Sequence, residues 1–99
     1  MASRAEQALR FFVAQGLTPA QAAGFVGNLQ QESGSGLDPT ALGDRGRSFG
    51  IAQFQGPRRQ ALNHFAAARG VPASDFRTQL DFIAREGETT ERRAFDAIR

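Results

Sequence analysis

Ninety-nine residues with 12 basic side chains, all arginine, and 10 acidic ones form a chain of net charge +2 and ordinary globular composition, enough for one domain. With no cysteine and one histidine, disulfides, thiol chemistry and His/Cys metal sites are excluded. No apolar run approaches the ~18 residues of a membrane helix, and the first twelve residues hold no secretory apolar core, so a target outside the cytoplasm calls for another route of delivery.

In chain order, Ser3 and Glu6 form a capping-box pattern, Ala5, Leu9, Phe12 and Val13 recur at helical spacing, and Gly16 supplies the stop. A helix is predicted over about residues 4–15. Thr18, Pro19 and Gln21 open a second, with Ala22, Ala23, Phe25, Val26 and Leu29 on its buried side and an end at Glu32 or Ser33. Gly24 and Gly27 each cost roughly 1 kcal/mol in a helix interior, so close approach of another backbone is expected there. From Leu37 to Gln55 no period persists. Asp38-Pro39 reads as the cap of a single turn, and Gly43-Asp44-Arg45-Gly46 has turn chemistry. Residues 48–54 read as a short strand or an irregular loop. Gly56-Pro57 starts a third helix that Gly70 stops, carrying Leu62, Phe65 and Ala66 inward. Ser74 is the predicted cap of a fourth, with Phe76, Leu80, Ile83 and Ala84 on one face and Gly87 as its breaker. Thr89 or Thr90 would cap a fifth bearing Ala94, Phe95 and Ile98. The expected architecture is a single mainly α domain over residues 1–99. It has about five helices, one long Gly-rich loop and at most a small β-hairpin, and it stops in mid-element at Arg99.

A loop this long inside so small a domain is unusual unless it is used. Its start is marked by Glu32, in the last turn of the second helix. There the negative end of the helix dipole opposes ionisation, and packing beside Phe25 or Leu29 would add desolvation. Both favour the protonated acid that glycosidic-bond cleavage requires. Taken alone, Glu-Ser-Gly reads more plainly as a solvated helix end, since short motifs often match by accident.

Gly16 through Gly24, Val26-Gly27-Asn28-Leu29, Glu32-Ser33-Gly34, Gly43-Asp44 and Phe49 through Phe54 closely resemble the phage tail lysozyme family. So do Arg59, Gln79-Leu80-Asp81-Phe82 and Glu91-Arg92-Arg93-Ala94 further along. More distantly, Glu32-Ser33 followed by Gly50-Ile51-Ala52-Gln53 resembles the paired motifs of lytic transglycosylases and goose-type lysozymes. The resemblance implies an α+β lysozyme-like fold that cleaves the MurNAc-GlcNAc bonds of peptidoglycan, as part of a phage tail or prophage assembly or delivered to the bacterial wall. Domains of that family usually carry further helical sequence beyond the position of Arg99.

On this reading Glu32 is the general acid and Asp44 the second carboxylate, with Asp38 a turn cap. Ser33, Gly50, Ile51 and Gln53 contact substrate. Asp44 reads equally as a turn residue, and Gln53 as a side chain bonded to backbone. If Asp44 takes no part, substrate-assisted cleavage to a 1,6-anhydro product remains open. Phe49 or Phe54 could face a sugar ring, although core is the plainer role. Arg58-Arg59 reads as a solvated helix face, and His64 as an exposed or packing residue. No metal or cofactor is implied, and neither a nucleic-acid partner nor a membrane span is expected. Two other functions compete: a non-catalytic, wall-binding relative of the fold, and, more remotely, a DNA-binding helix-turn-helix with its turn at Gly27.

Overall fold

The computed structural model describes residues 2–88. They form a mainly helical fold of four helices with a small antiparallel hairpin: α1 (Arg4–Ala14), α2 (Pro19–Ser33), β1 (Leu42–Gly43), β2 (Ser48–Phe49), α3 (Pro57–Ala68) and α4 (Phe76–Glu88). The predicted fifth helix lies outside the described residues.

Local chemistry sets most of the helix ends. Ser3 Oγ accepts from Glu6 N–H at the start of α1. Thr18 and Gln21 complete a full capping box on α2: the hydroxyl takes the Gln21 N–H and the Gln21 amide oxygen takes the Thr18 N–H. Gly16 and Gly70 end α1 and α3 in the same six-residue closure. Leu17 N–H reaches Phe12 O and Gly16 N–H reaches Val13 O, while Val71 N–H reaches Ala66 O and Gly70 N–H reaches Ala67 O. Both glycines have positive φ, as this stop demands.

The structure corrects three sequence expectations here. The cap of α4 is Asp75, not Ser74, because the Asp75 carboxylate takes both the N–H and the hydroxyl of Thr78. Gly87 does not break α4 but is buried within it. One interior glycine costs only about 1 kcal/mol, less than α4 gains by burying Leu80, Ile83 and Ala84. Among the described residues, no atom outside the local stretch of α2 itself lies within 4 Å of a Cβ built on Gly24 or Gly27, so no other described backbone approaches them. No turn occurs at Gly27 either, since α2 runs through it to Ser33, which removes the helix-turn-helix reading.

One core joins the elements. Phe12, Leu17, Ala22, Val26 and Leu29 come from the α1–α2 pair, and Leu62, Leu80, Phe82 and Ile83 from α3 and α4. Phe12 packs on Phe25 at 4.7 Å, and Phe82 meets Phe54 at 5.6 Å and Phe65 at 5.5 Å. The loop segment 34–56 contributes three core side chains of its own, Leu37, Ile51 and Phe54, all without exposed surface. Burying a side chain of this size is worth about 1.5–3 kcal/mol, so the loop is anchored to the core at three points. No helix among the described residues is long and apolar enough to cross a membrane.

Candidate active site

Residues 34–56 leave the end of α2 and return at the start of α3. The hairpin pairs Leu42 with Phe49 and Gly43 with Ser48. A 3-10 turn over Asp44–Gly46 closes it. Phe49 then exchanges both backbone hydrogen bonds with Phe54, at 2.9 and 2.8 Å, around a tight turn at 50–53. Four non-glycine residues of this segment, Leu37, Asp44, Arg45 and Gln53, hold positive φ. Left-handed backbone costs such residues roughly 1–2 kcal/mol apiece, and it persists only where the surroundings enforce it.

The enforcing groups come from three helices. From α1, Arg4 Nε donates to Gly36 O at 2.7 Å. From α3, Arg59 donates to Gly46 O at 2.7 Å and Arg47 O at 3.1 Å, with its guanidinium 5.1 Å from the Phe49 ring centre. From α4, Gln79 is fully buried and bonds the backbone of Pro39, Ile51 and Ala73. Arg58 pairs with Glu86 through both carboxylate oxygens and lies over Phe54. Arg58 remains exposed, as the sequence suggests, even while paired, whereas Arg59 is half-buried and turned into the loop.

Glu32 is exposed in the last turn of α2, and its carboxylate makes no hydrogen bond or ion pair with a described residue. The burial against Phe25 or Leu29 expected from sequence does not occur. Ser33 is half-buried and donates its hydroxyl to Leu29 O, one turn back. Asp44 is exposed at the head of the 3-10 turn, in a left-handed conformation that Asp tolerates well. Its carbonyl accepts from Arg47 N–H, and its carboxylate has no described partner. Asp38 is the turn cap: Thr40 donates its hydroxyl and then its N–H to one carboxylate oxygen, holding the Asp38 carboxyl below its ordinary value of 3.8.

Gln53 spends both amide donors on backbone, at Ala41 O (3.2 Å) and Gly50 O (2.9 Å). Its Oε1 lies against Gly43 and keeps acceptor capacity. Gly50 is walled in, with N–H bonded to Ala41 O and its carbonyl taken by Gln53. Its part is conformational, since φ is +87 and a Cβ would lie 2.7 Å from Oε1 of Gln79. Ile51 is fully buried, and its N–H is bonded to Gln79. Phe54 is core, and the Phe49 ring is stacked by Arg59. The structure thus bonds Gly50 to Gln53 and packs Gly43 against Gln53 at the base of the hairpin that carries Asp44. Glu32 and Ser33 stand at the helix end where the segment begins.

Sequence reading did not give Gln79, Arg4 or Arg59 these roles. A signal existed for Gln79, which falls between Phe76 and Ile83 on the apolar face of α4. No cluster of three metal-ligating side chains occurs among the described residues.

No curated protein and no solved structure matches the chain. The family model for phage tail lysozymes, in contrast, matches residues 3–99, and the chain belongs to that family.

Proposed function

We propose that this domain cleaves the glycan strands of peptidoglycan, with Glu32 as general acid. The observation that carries the reading is the setting of Glu32: a carboxylic side chain with no described partner, at the point where α2 opens into a braced, left-handed loop. Membership of the phage tail lysozyme family supports the same substrate class and suggests work in association with a phage tail.

Glu32 in its protonated form gives its proton to the glycosidic oxygen as the bond to the sugar breaks. The resulting carboxylate then serves as base toward water or toward a substrate hydroxyl. Asp44 is proposed as the second carboxylate, either attacking carbon or activating water. Gln53 Oε1, its amide donors already committed, accepts a hydrogen bond from a sugar hydroxyl or acetamido N–H. Gly50 and Ile51 shape that turn from beneath.

Glu32→Gln tests the proposal on purified peptidoglycan. It preserves size and hydrogen bonding but removes the transferable proton, so turnover should fall by about 10²–10⁴ with an unchanged circular dichroism spectrum. A Glu32→Gln protein within tenfold of wild type would remove Glu32 from the reaction. A wild-type chain that binds peptidoglycan without releasing muropeptides would favour the wall-binding alternative.

A further inference from the structure

We propose that Gln79, on α4, is a positioning residue that aims Gln53 at the substrate. This rests on the functional reading above. The amide of Gln79 is fully committed and fully buried: Oε1 accepts from Ile51 N–H at 2.9 Å, and Nε2 donates to Pro39 O at 2.9 Å and Ala73 O at 2.8 Å. Those atoms belong to three separate stretches: the turn at 38–41, the turn at 50–53 and the α3–α4 connection. Gln53 in turn hangs from Ala41 O and Gly50 O. One of these carbonyls is two residues from Pro39 and the other is next to Ile51. The two backbone points that orient Gln53 therefore each lie within two residues of one that Gln79 holds.

Gly50 records the same coupling in its lack of a side chain. A Cβ there would lie within 3.0 Å of Cδ and Nε2 of Gln79, as well as against Oε1. Gln53 itself sits at φ +49, a conformation that glutamine does not favour alone. An apolar residue at position 79 would fill the core as well, but it would take from the Ile51 N–H and the Pro39 carbonyl of the loop, and from the Ala73 carbonyl of the α3–α4 connection, the partner that Gln79 supplies. Glutamine supplies one acceptor and two donors, the set those groups require.

The variant Gln79→Glu separates positioning from packing. As a carboxylate it accepts from Ile51 N–H but faces Pro39 O and Ala73 O with no donor. As a neutral acid it recovers one donor. At neutral pH its kcat should fall on the order of 10- to 100-fold, the scale of a slightly misplaced group, with KM less affected. Part of the loss should return as the pH is lowered through the new carboxyl's titration, relative to the wild-type pH profile. Rates are read well below each variant's unfolding temperature, and Gln79→Met gives a second, uncharged removal of the network. In a Gln53→Ala background the Gln79→Glu change should cost little more, because the group it aims has gone.

The proposal is overturned if folded Gln79→Glu and Gln79→Met keep wild-type kcat, or if the losses at 79 and 53 simply multiply. It also falls if the Gln53 side-chain amide NMR signals are the same in wild type and both variants. If instead the wild-type chain does not cleave peptidoglycan, the functional reading fails and positioning for catalysis fails with it. The Gln53 signals then report only whether Gln79 holds the turn.

Discussion

A methyl group added to Gly24 or Gly27, in the middle of α2, would meet no described atom within 4 Å beyond the adjoining stretch of α2 itself. Added to Gly50 it would lie 2.7 Å from Oε1 of Gln79, and on Gly43 it would collide with Oε1 of Gln53. Among the described residues the helix glycines have no close neighbours outside their own helix, while Gly43 and Gly50 are held in by the side-chain amides that order the loop. In this chain the need for a missing side chain is greatest where polar side chains cross-link the backbone, and least on the helix that ends in the proposed acid.

The largest effect that would sharpen this contrast lies at the hairpin tip. Asp44→Asn keeps the left-handed turn, since Asn tolerates the same conformation, but removes the charge proposed to act on the substrate. Turnover should drop by about 10²–10⁴ with the fold intact. Near-wild-type rates with 1,6-anhydro products, read by mass spectrometry of the muropeptides, would leave Glu32 as the sole acid/base.

Gly50→Ala should come next. The left-handed backbone alone costs an alanine about 1–2 kcal/mol, and the contact with Gln79 adds to that. A urea midpoint equal to that of wild type would show that the loop yields easily and is not braced.

Asp75→Ala probes a bond outside the loop. Removing an N-cap carboxylate costs about 1 kcal/mol. Hydrogen bonds from the Thr78 hydroxyl and then its N–H hold the Asp75 carboxyl below its ordinary value of 3.8. A lowered folded-state value means that the charge-dependent part of this stabilisation is complete above the unfolded-state value. It is lost as pH falls through the folded-state one. The stability gap between Asp75→Ala and wild type should therefore be constant from pH 7 to about pH 5 and narrow in acid. A gap that widens in acid would contradict the assignment.

The smallest expected change is a gain. Gly27→Ala should raise stability by up to about 1 kcal/mol, as an increased urea midpoint at unchanged slope. Destabilisation by this variant would mean that the α2 face is covered, and would break the comparison.

Much of the fold was legible because helix ends are written locally. Thr18 with Gln21 marks a start, and Gly16 and Gly70 mark stops, each through bonds within a few residues. The long loop and the turn at Gly43-Asp44-Arg45-Gly46 could be read in the same way. What escaped depends on residues distant in sequence. Nothing near Arg59 indicates that its guanidinium will reach Gly46 and Arg47. Gly27 misled for the converse reason, because a helix glycine suggests a neighbour without containing one. Of the candidate site, Glu32, Asp44 and Gln53 could be picked out by type and order. That Ile51 and Gly50 turn their polar groups inward depends on α4, which no local pattern announces.

The span of the Gln79 bonds also sets when the site can assemble. They join positions 28 and 40 residues apart in sequence, whereas α1 and α2 pair across a short connection. During synthesis from the N-terminus the α1–α2 hairpin can form while Gln79 is still untranslated, and the Gly50–Gln53 turn then lacks its brace. The proposed acid is thus made before the brace that fixes the loop following it. A nascent chain ending before α4 would carry Glu32, Asp44 and Gln53 without the framework that arranges them, so ordering of the site waits on synthesis of α4.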